Sequence, residues 1–182
     1  MDIRKLKKID TTYPLDNPYM RVRKDRYQFP TKIGEFYTLE GPDWVVVCAI
    51  TLQKEMIFVR QYRHTILQEQ LELPAGKMDK EKESPEQTAR RELEEETGYT
   101  AKKLHYLGEY GTIAGRTNVK GHLFCAQTGE KRYQNLEETE EISVELVPLT
   151  TVMKWIQKNN ISDLPSLCTI LLTKEKHPEW FH

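Results

Sequence analysis

Apolar runs alternate with charged stretches along the chain, and their spacing sorts them into strands and helices. Trp44-Val45-Val46-Val47-Cys48-Ala49-Ile50 is continuous and β-branched, the pattern of a strand buried on both faces. Met56-Ile57-Phe58-Val59 repeats it after a short polar turn around Gln53-Lys54. Upstream, Phe36-Tyr37-Thr38-Leu39 reads as a strand ending at the turn residues Gly41-Pro42-Asp43. Residues 104–107, 122–125 and 142–146 read as further strands. The first twenty residues are mostly polar, carry turn chemistry at Pro14 and Pro18, and are expected to form an arm.

The clearest helix start is Ser84-Pro85-Glu86-Gln87: an N-cap serine, a proline at the first helical position and a glutamine placed to complete a capping box. Gly98 supplies a left-handed stop. Two more helices are expected, around 152–157 and 167–174. Strands dominate the first half and helices are interspersed later, so the fold class is mixed α/β. The order in which the strands pair is not encoded in these local patterns.

With 182 residues, 38% hydrophobic and 30% charged, the chain suits one domain with a substantial core. A net charge of −1 argues against a broad nucleic-acid-binding surface. No apolar run is long enough to span a bilayer, and the opening Met1-Asp2-Ile3-Arg4-Lys5 lacks the apolar stretch of a signal peptide. Cys48, Cys125 and Cys168 sit among apolar neighbours and read as reduced core residues, which points to the cytoplasm.

Inside the capped helix stands Arg91-Glu92-Leu93-Glu94-Glu95-Glu96. At the helical repeat Glu92, Glu95 and Glu96 share one face, and Glu94 points away. Like charges three and four apart repel by about a few tenths of a kcal/mol per exposed pair, so such a stripe invites a cation. Oxygen ligands of this kind suit Mg²⁺ or Mn²⁺ better than zinc. An acidic solvated face, with Arg91 and Glu95 as an ordinary pair, is the plainer alternative. No Gly-x-x-x-x-Gly-Lys-Ser/Thr loop and no Gly-x-Ser-x-Gly elbow is present.

Gly76, Glu83, Arg91, Glu92, Leu93, Glu95, Glu96, Gly98 and Tyr99 fill the places of a known signature. On these residues the chain resembles the Nudix hydrolases. One departure is that six residues, not five, separate Gly76 from Glu83, which leaves the direction of Glu83 open. The resemblance implies an αβα sandwich around a mixed sheet, preceded by an N-terminal antiparallel strand region. It divides the chain into an arm and strands over 1–40, which help form a dimer, and a hydrolase domain over 41–182. It also implies that Glu92, Glu95, Glu96 and the carbonyl of Ala75 hold divalent metal, and that Arg91 orients a glutamate while Ala89 and Leu93 face the core.

A wider match narrows the branch. Leu39-Glu40-Gly41-Pro42-Asp43-Trp44-Val45, Arg60-Gln61-Tyr62-Arg63-His64, Glu69-Gln70-Leu71-Glu72-Leu73, His122-Leu123-Phe124 and Val147-Pro148-Leu149 resemble the ADP-ribose and nucleotide-sugar pyrophosphatases over roughly residues 35 to 150. In that branch the position of Arg63 contacts the diphosphate, as a bidentate guanidinium can. Glu72 and Arg116 are further substrate candidates. A glutamate on a loop before a strand acts as general base there; Glu140 fits best, Glu138 next, and Glu95 of the signature is the alternative. Ala114 stands where ADP-ribose hydrolases carry proline, which keeps nucleotide sugars such as GDP-mannose open.

The implied reaction is hydrolysis of a nucleoside diphosphate sugar by two or three Mg²⁺ ions, giving a nucleoside monophosphate and a sugar phosphate. The alternatives are a hydrolase of dinucleoside polyphosphates or oxidised nucleotides, and a non-catalytic nucleotide sensor. Branch members are commonly homodimers, and Tyr27, Phe29, Phe36, Tyr37 and Trp44 are candidates to stack a base, with Arg21 or Arg23 near phosphate.

Overall fold

The computed structural model describes residues 6–181; the Met1-to-Lys5 opening lies outside them. Two compact units emerge, one from residues up to 42 together with 111–120, the other from 43–110 and from 121 onwards.

The first unit is an antiparallel sheet of β1 (Lys7–Asp16), β2 (Arg21–Gln28) and β3 (Ile33–Glu40), in that order. The expected arm is therefore corrected: ten of its twenty residues form a strand. Its alternation was masked because nearly every position of β1 is solvent-exposed. Pro14 is tolerated since β1 is an edge strand whose register shifts between Thr12 and Leu15. Charge pins the sheet. Asp25, almost fully buried, accepts from Lys8 Nζ at 2.8 Å, Thr11 Oγ1 at 2.6 Å and Arg23 Nε at 2.9 Å. Burial alone would raise its carboxyl, but these donors hold it down at about 2. The 111–120 segment joins this unit through Leu39 N–H to Arg116 O (2.8 Å) and Thr117 Oγ1 to Leu39 O (2.7 Å).

The second unit is built on seven strands: β4 (Trp44–Ile50), β5 (Glu55–Arg63), β6 (Gln68–Glu72), β7 (Ala75–Lys77), β8 (Tyr99–Gly111), β9 (Lys120–Lys131) and β10 (Ile142–Pro148). The main path runs β10-β5-β4-β9-β8, with β6 on β5 and β7 on β4. β4 and β9 are parallel, while β5 pairs antiparallel with β4, β6 and β10, so the sheet is mixed. The helices are α1 (Pro85–Thr97), α2 (Leu149–Gln157) and α3 (Leu164–Lys176), followed by a 3₁₀ turn at Pro178–Phe181. None of the described helices is long and apolar enough to cross a membrane.

Strand periodicity decides which face each side chain serves. Val45, Val47 and Ala49 of β4, Ile57 of β5 and Phe124 and Ala126 of β9 pack with Ala89 and Leu93 of α1. Their neighbours Val46, Cys48, Ile50, Met56, Phe58, Leu123 and Cys125 face the other way, onto Val152 of α2, Ile170 of α3 and Trp180. Helices thus cover both faces of a sheet whose central strand is apolar throughout, as its sequence anticipates. Cys168 corrects the reading of three core thiols: it is exposed, whereas Cys48 and Cys125 are buried. On α3 the buried stripe is Ser166, Thr169, Ile170 and Thr173, spaced three and four apart, and residue 168 falls off it.

Candidate active site

α1 begins and ends as its sequence requires. Ser84 accepts from Gln87 N–H, the Gln87 side chain returns to Ser84 N–H, and Gly98 closes the helix with φ of 75°. Its core stripe leaves Glu92 and Glu96, one turn apart, facing a cavity of about 460 Å³, within the usual range for small-molecule sites. Glu94 is turned away and pairs with Arg132 at 2.6 Å. Opposite the helix, residues 73–76 are pinned peptide by peptide. Leu73 N–H donates to Ser166 Oγ (2.8 Å), Pro74 O accepts from Val47 N–H (2.9 Å), and Ala75 N–H donates to Glu96 Oε2 (3.0 Å).

Gly76 follows, and its lack of a Cβ leaves room for Glu92: an added methyl would lie inside the Glu92 carboxylate and force that side chain to move. Gly76→Ala is therefore expected to displace Glu92 and weaken divalent-ion binding about ten-fold or more. A Mn²⁺ titration followed by electron paramagnetic resonance checks this; unchanged affinity would show that Glu92 is not needed where it stands.

Arg91 braces the acidic cluster. It donates to Glu83 Oε1 (3.0 Å), Glu92 Oε1 (2.7 Å) and Glu95 Oε2 (2.8 Å), and the three carboxylates hold it charged against the effect of burial. The extra loop residue is absorbed by a turn in which Glu83 N–H bonds Lys80 O and Lys82 takes a positive φ of 66°. Glu83 consequently points onto Arg91 and Thr88, and this pairing with Arg91 holds its carboxyl below the usual range.

Arg63 at the end of β5 and Glu72 at the end of β6 form a two-pronged pair on adjacent strands, through Nε to Oε1 at 2.9 Å and Nη2 to Oε2. Glu72 is 6% exposed and is also approached by Gln61 Nε2 at 3.4 Å. The pair occupies one edge of the guanidinium and leaves Nη1 directed to other acceptors. Both residues line the cavity.

The 132–141 segment returns past the end of α1: Arg132 N–H, Asn135 N–H and Gln134 Nε2 reach the carbonyls of Gly98, Glu95 and Glu96. It then carries Glu137 and Glu140 to the cavity wall. Glu140 lies within electrostatic reach of both Glu92 and Glu96.

The structure thus brings together Arg63, Glu72, Ala75, Glu92, Glu96 and Glu140 around one cavity. It does not bring in Glu95, which faces Arg91 and Lys80, nor Glu138, whose place on the wall is taken by Glu137. Arg116 lies in the first unit, in a turn where its N–H bonds Ile113 O. Trp44, a base-stacking candidate from the sequence, also lines the wall, and Gln61, Lys77, Asp79 and Asp163, which escaped the sequence reading, line it too. Asp163 had a signal: Asp163-Leu164-Pro165-Ser166 is an N-cap followed by proline, three residues upstream of where the helix was expected.

The NUDIX domain family model matches residues 42–167. The chain belongs to the NUDIX family. It is 40% identical over 129 residues to the ADP-ribose pyrophosphatase of Bacillus subtilis (strain 168), covering 69% of this chain and 68% of that protein. It is 29% identical over 167 residues to the methanol dehydrogenase activator of Bacillus methanolicus, covering 90% of each. The solved structure described as an ADP compounds hydrolase superposes with a TM-score of 0.84 over 98% of this chain and 97% of that one, at 18% identity, a likeness of fold. By family the protein is a pyrophosphohydrolase, similar to the ADP-ribose pyrophosphatases.

Among the described residues no three carboxylates converge in metal-binding geometry as they stand. Glu92 leans on Arg91 and Glu96 on Ala75 N–H. The chemistry of the Nudix helix nonetheless fits a divalent cation. Burial pushes the Glu96 carboxyl up to about 8 despite the Ala75 N–H, with Glu92 and Glu140 adding repulsion. Burial likewise raises Glu92, against Arg91. Carboxylates that resist ionising beside one another are what a hard cation relieves.

A pH dependence follows. Without metal, Glu96 keeps its proton to about pH 8 in the folded protein and would lose it near 4.5 when unfolded. Its contribution to stability is full below 4.5 and is lost as pH rises to about 8. In chelator, Tm is expected to fall across that window by at least about 5 °C. Glu96→Gln should flatten the slope in differential scanning fluorimetry. An equal slope in the variant would assign it to other groups.

Proposed function

We propose that the protein hydrolyses the pyrophosphate bond of ADP-ribose and related nucleoside diphosphate sugars, with Mg²⁺ or Mn²⁺ as cofactor. The observation that carries this reading is the meeting of Arg63, Glu92, Glu96 and Glu140 at one cavity. Similarity to ADP-ribose pyrophosphatase supports the substrate class. Glu92, Glu96 and the Ala75 carbonyl would hold the metal, with Glu95 entering by turning from Lys80. Bound there, a divalent cation neutralises the diphosphate and stabilises the charge that develops as the bond breaks.

The side chains supply the rest. The open edge of Arg63 binds phosphate oxygens, while Glu72 fixes the direction of the guanidinium. Glu140 accepts a proton from water as its oxygen attacks one phosphorus, and the leaving phosphate departs as the sugar phosphate or the nucleotide. The products are a nucleoside monophosphate and a sugar phosphate. Arg91 takes no proton; it holds Glu83, Glu92 and Glu95 in place.

The proposal extends to a homodimer working in the cytoplasm. Ile33, Tyr37 and Leu39 alternate onto one face of β3 and are each roughly half exposed, an apolar strip suited to a second copy. Cys48 and Cys125 face each other on paired strands as free thiols, as a reducing compartment favours. Light scattering that returns a 21.5 kDa particle would rule the dimer out.

The test is phosphate-coupled hydrolysis of ADP-ribose, GDP-mannose, ADP-glucose, a dinucleoside polyphosphate and a nucleoside triphosphate, with Mg²⁺ and with chelator. Metal-dependent turnover of the first three supports the reading and ranks the sugars. Activity confined to the last two would move the protein to a different Nudix chemistry, and no turnover at all would favour a sensor.

A further inference from the structure

Ser166 is fully buried on α3, far along the chain from the Nudix helix, yet its hydroxyl accepts from Leu73 N–H at 2.8 Å. The same hydroxyl donates to Asp163 Oδ2, which also accepts Ser166 N–H at 2.8 Å as the helix cap. A relay therefore runs from the backbone of the 73–76 segment, through Ser166, to a carboxylate on the cavity wall. Asp163 itself faces the Arg63–Glu72 pair, and burial raises its carboxyl above the usual range against the Ser166 donors.

The relay holds the segment just ahead of the ladder that joins Ala75–Lys77 to β4. Residue 74 is proline and has no N–H to donate, so between the strand pairings of Glu72 and Ala75 the chain is tied by Leu73 N–H to Ser166 and by Pro74 O from Val47. On one side of that stretch stands Glu72, which aims Arg63. On the other stands Ala75, whose N–H holds Glu96. A shift of Leu73 would be transmitted to both ends of the site.

We propose that Asp163 and Ser166 are positioning residues: they hold the 73–76 segment so that Glu96 and Arg63 keep their places in the Nudix site. The inference rests on the proposed roles of those two side chains. A cap that served α3 alone would need Ser166 N–H on Asp163 but no hydroxyl contact to Leu73. A buried hydroxyl bridging both is the observation that separates the two readings.

The experiment compares wild type with Ser166→Ala, Asp163→Asn and Thr169→Val. Thr169 Oγ1 bonds Pro165 O at 2.7 Å on the same helix, but Thr169 neither lines the cavity nor bonds Leu73 or Asp163, so its loss reports the stability of α3 without breaking the relay. Direct Mn²⁺ binding by electron paramagnetic resonance, Tm, and kcat and KM for ADP-ribose are measured for each. Ser166→Ala is expected to weaken Mn²⁺ binding and kcat by about ten-fold or more, as loss of a supporting partner does at metal sites. Asp163→Asn keeps an acceptor for the cap and should fold with a Tm close to that of wild type, while its KM rises several-fold. Thr169→Val should lower Tm and leave Mn²⁺ binding unchanged. The proposal is overturned if Ser166→Ala binds Mn²⁺ and turns over like wild type, or if Thr169→Val weakens binding equally. Failure of wild type to bind Mn²⁺ would instead overturn the metal assignment, and this inference with it.

Discussion

Glu96→Gln should reduce hydrolysis about 10³-fold, a loss of roughly 4 kcal/mol of transition-state stabilisation of the kind a metal clamp supplies. The fold should survive. Glu96 is 3% exposed and, without metal, carries its proton up to about pH 8, so a neutral amide of nearly the same shape replaces a group already neutral at pH 7. The Ala75 N–H can still bond the amide oxygen. The activity loss should therefore come in chelator with a Tm that matches wild type near pH 4.5 and lies above it at pH 8, where ionisation of Glu96 opposes folding, and with loss of the Tm gain that Mg²⁺ gives wild type. Steady-state kinetics and scanning fluorimetry on the same samples check both parts. A variant that keeps a tenth or more of the activity would remove Glu96 from the metal site.

Arg63→Ala carries the second large effect, and it should act on stability and catalysis together. Glu72 is buried and has Arg63 as its counter-charge, so truncation leaves a carboxylate uncompensated. Breaking such a pair costs about 2–3 kcal/mol here, the low end of the range because Arg63 is 41% exposed and water screens it. That corresponds to a fall in Tm of roughly 4–12 °C. Loss of the guanidinium from the diphosphate should lower kcat/KM by about 10²–10³-fold. Glu72→Gln relieves the buried charge without restoring the clamp, so Arg63→Ala/Glu72→Gln should recover Tm and not activity. Recovery of both would reduce Arg63 to a surface ion pair.

Much of the site was legible because it is local. The cap at Ser84, the stop at Gly98 and the one-turn spacing of Glu92 and Glu96 are decided within a few residues, and the structure holds them where the pattern puts them. The sandwich was legible for a similar reason: β4 is apolar at every position and is covered on both faces. What escaped depends on distant partners. β1 has no apolar alternation, and its pairing is held by charges that meet Asp25 of β2. Ser166 reaches a peptide across the sequence, and nothing beside Leu73 announces it. Glu95 shares the face of Glu92 on a helical wheel, yet Lys80 from the preceding loop and Arg91 turn it aside. The choice of Glu137 over Glu138 for the cavity wall is set by the turn in which Glu140 N–H bonds Glu137 O, beyond what an acidic run reveals.

The most direct test of the central claim follows ADP-ribose by ³¹P NMR with purified protein, first in chelator and then after Mg²⁺ is added. The diphosphate signals should persist in chelator, then be replaced after Mg²⁺ by two monophosphate signals, with Glu140→Gln slowing the change by orders of magnitude. Diphosphate that survives Mg²⁺, or that is cleaved equally well in chelator, would contradict the account.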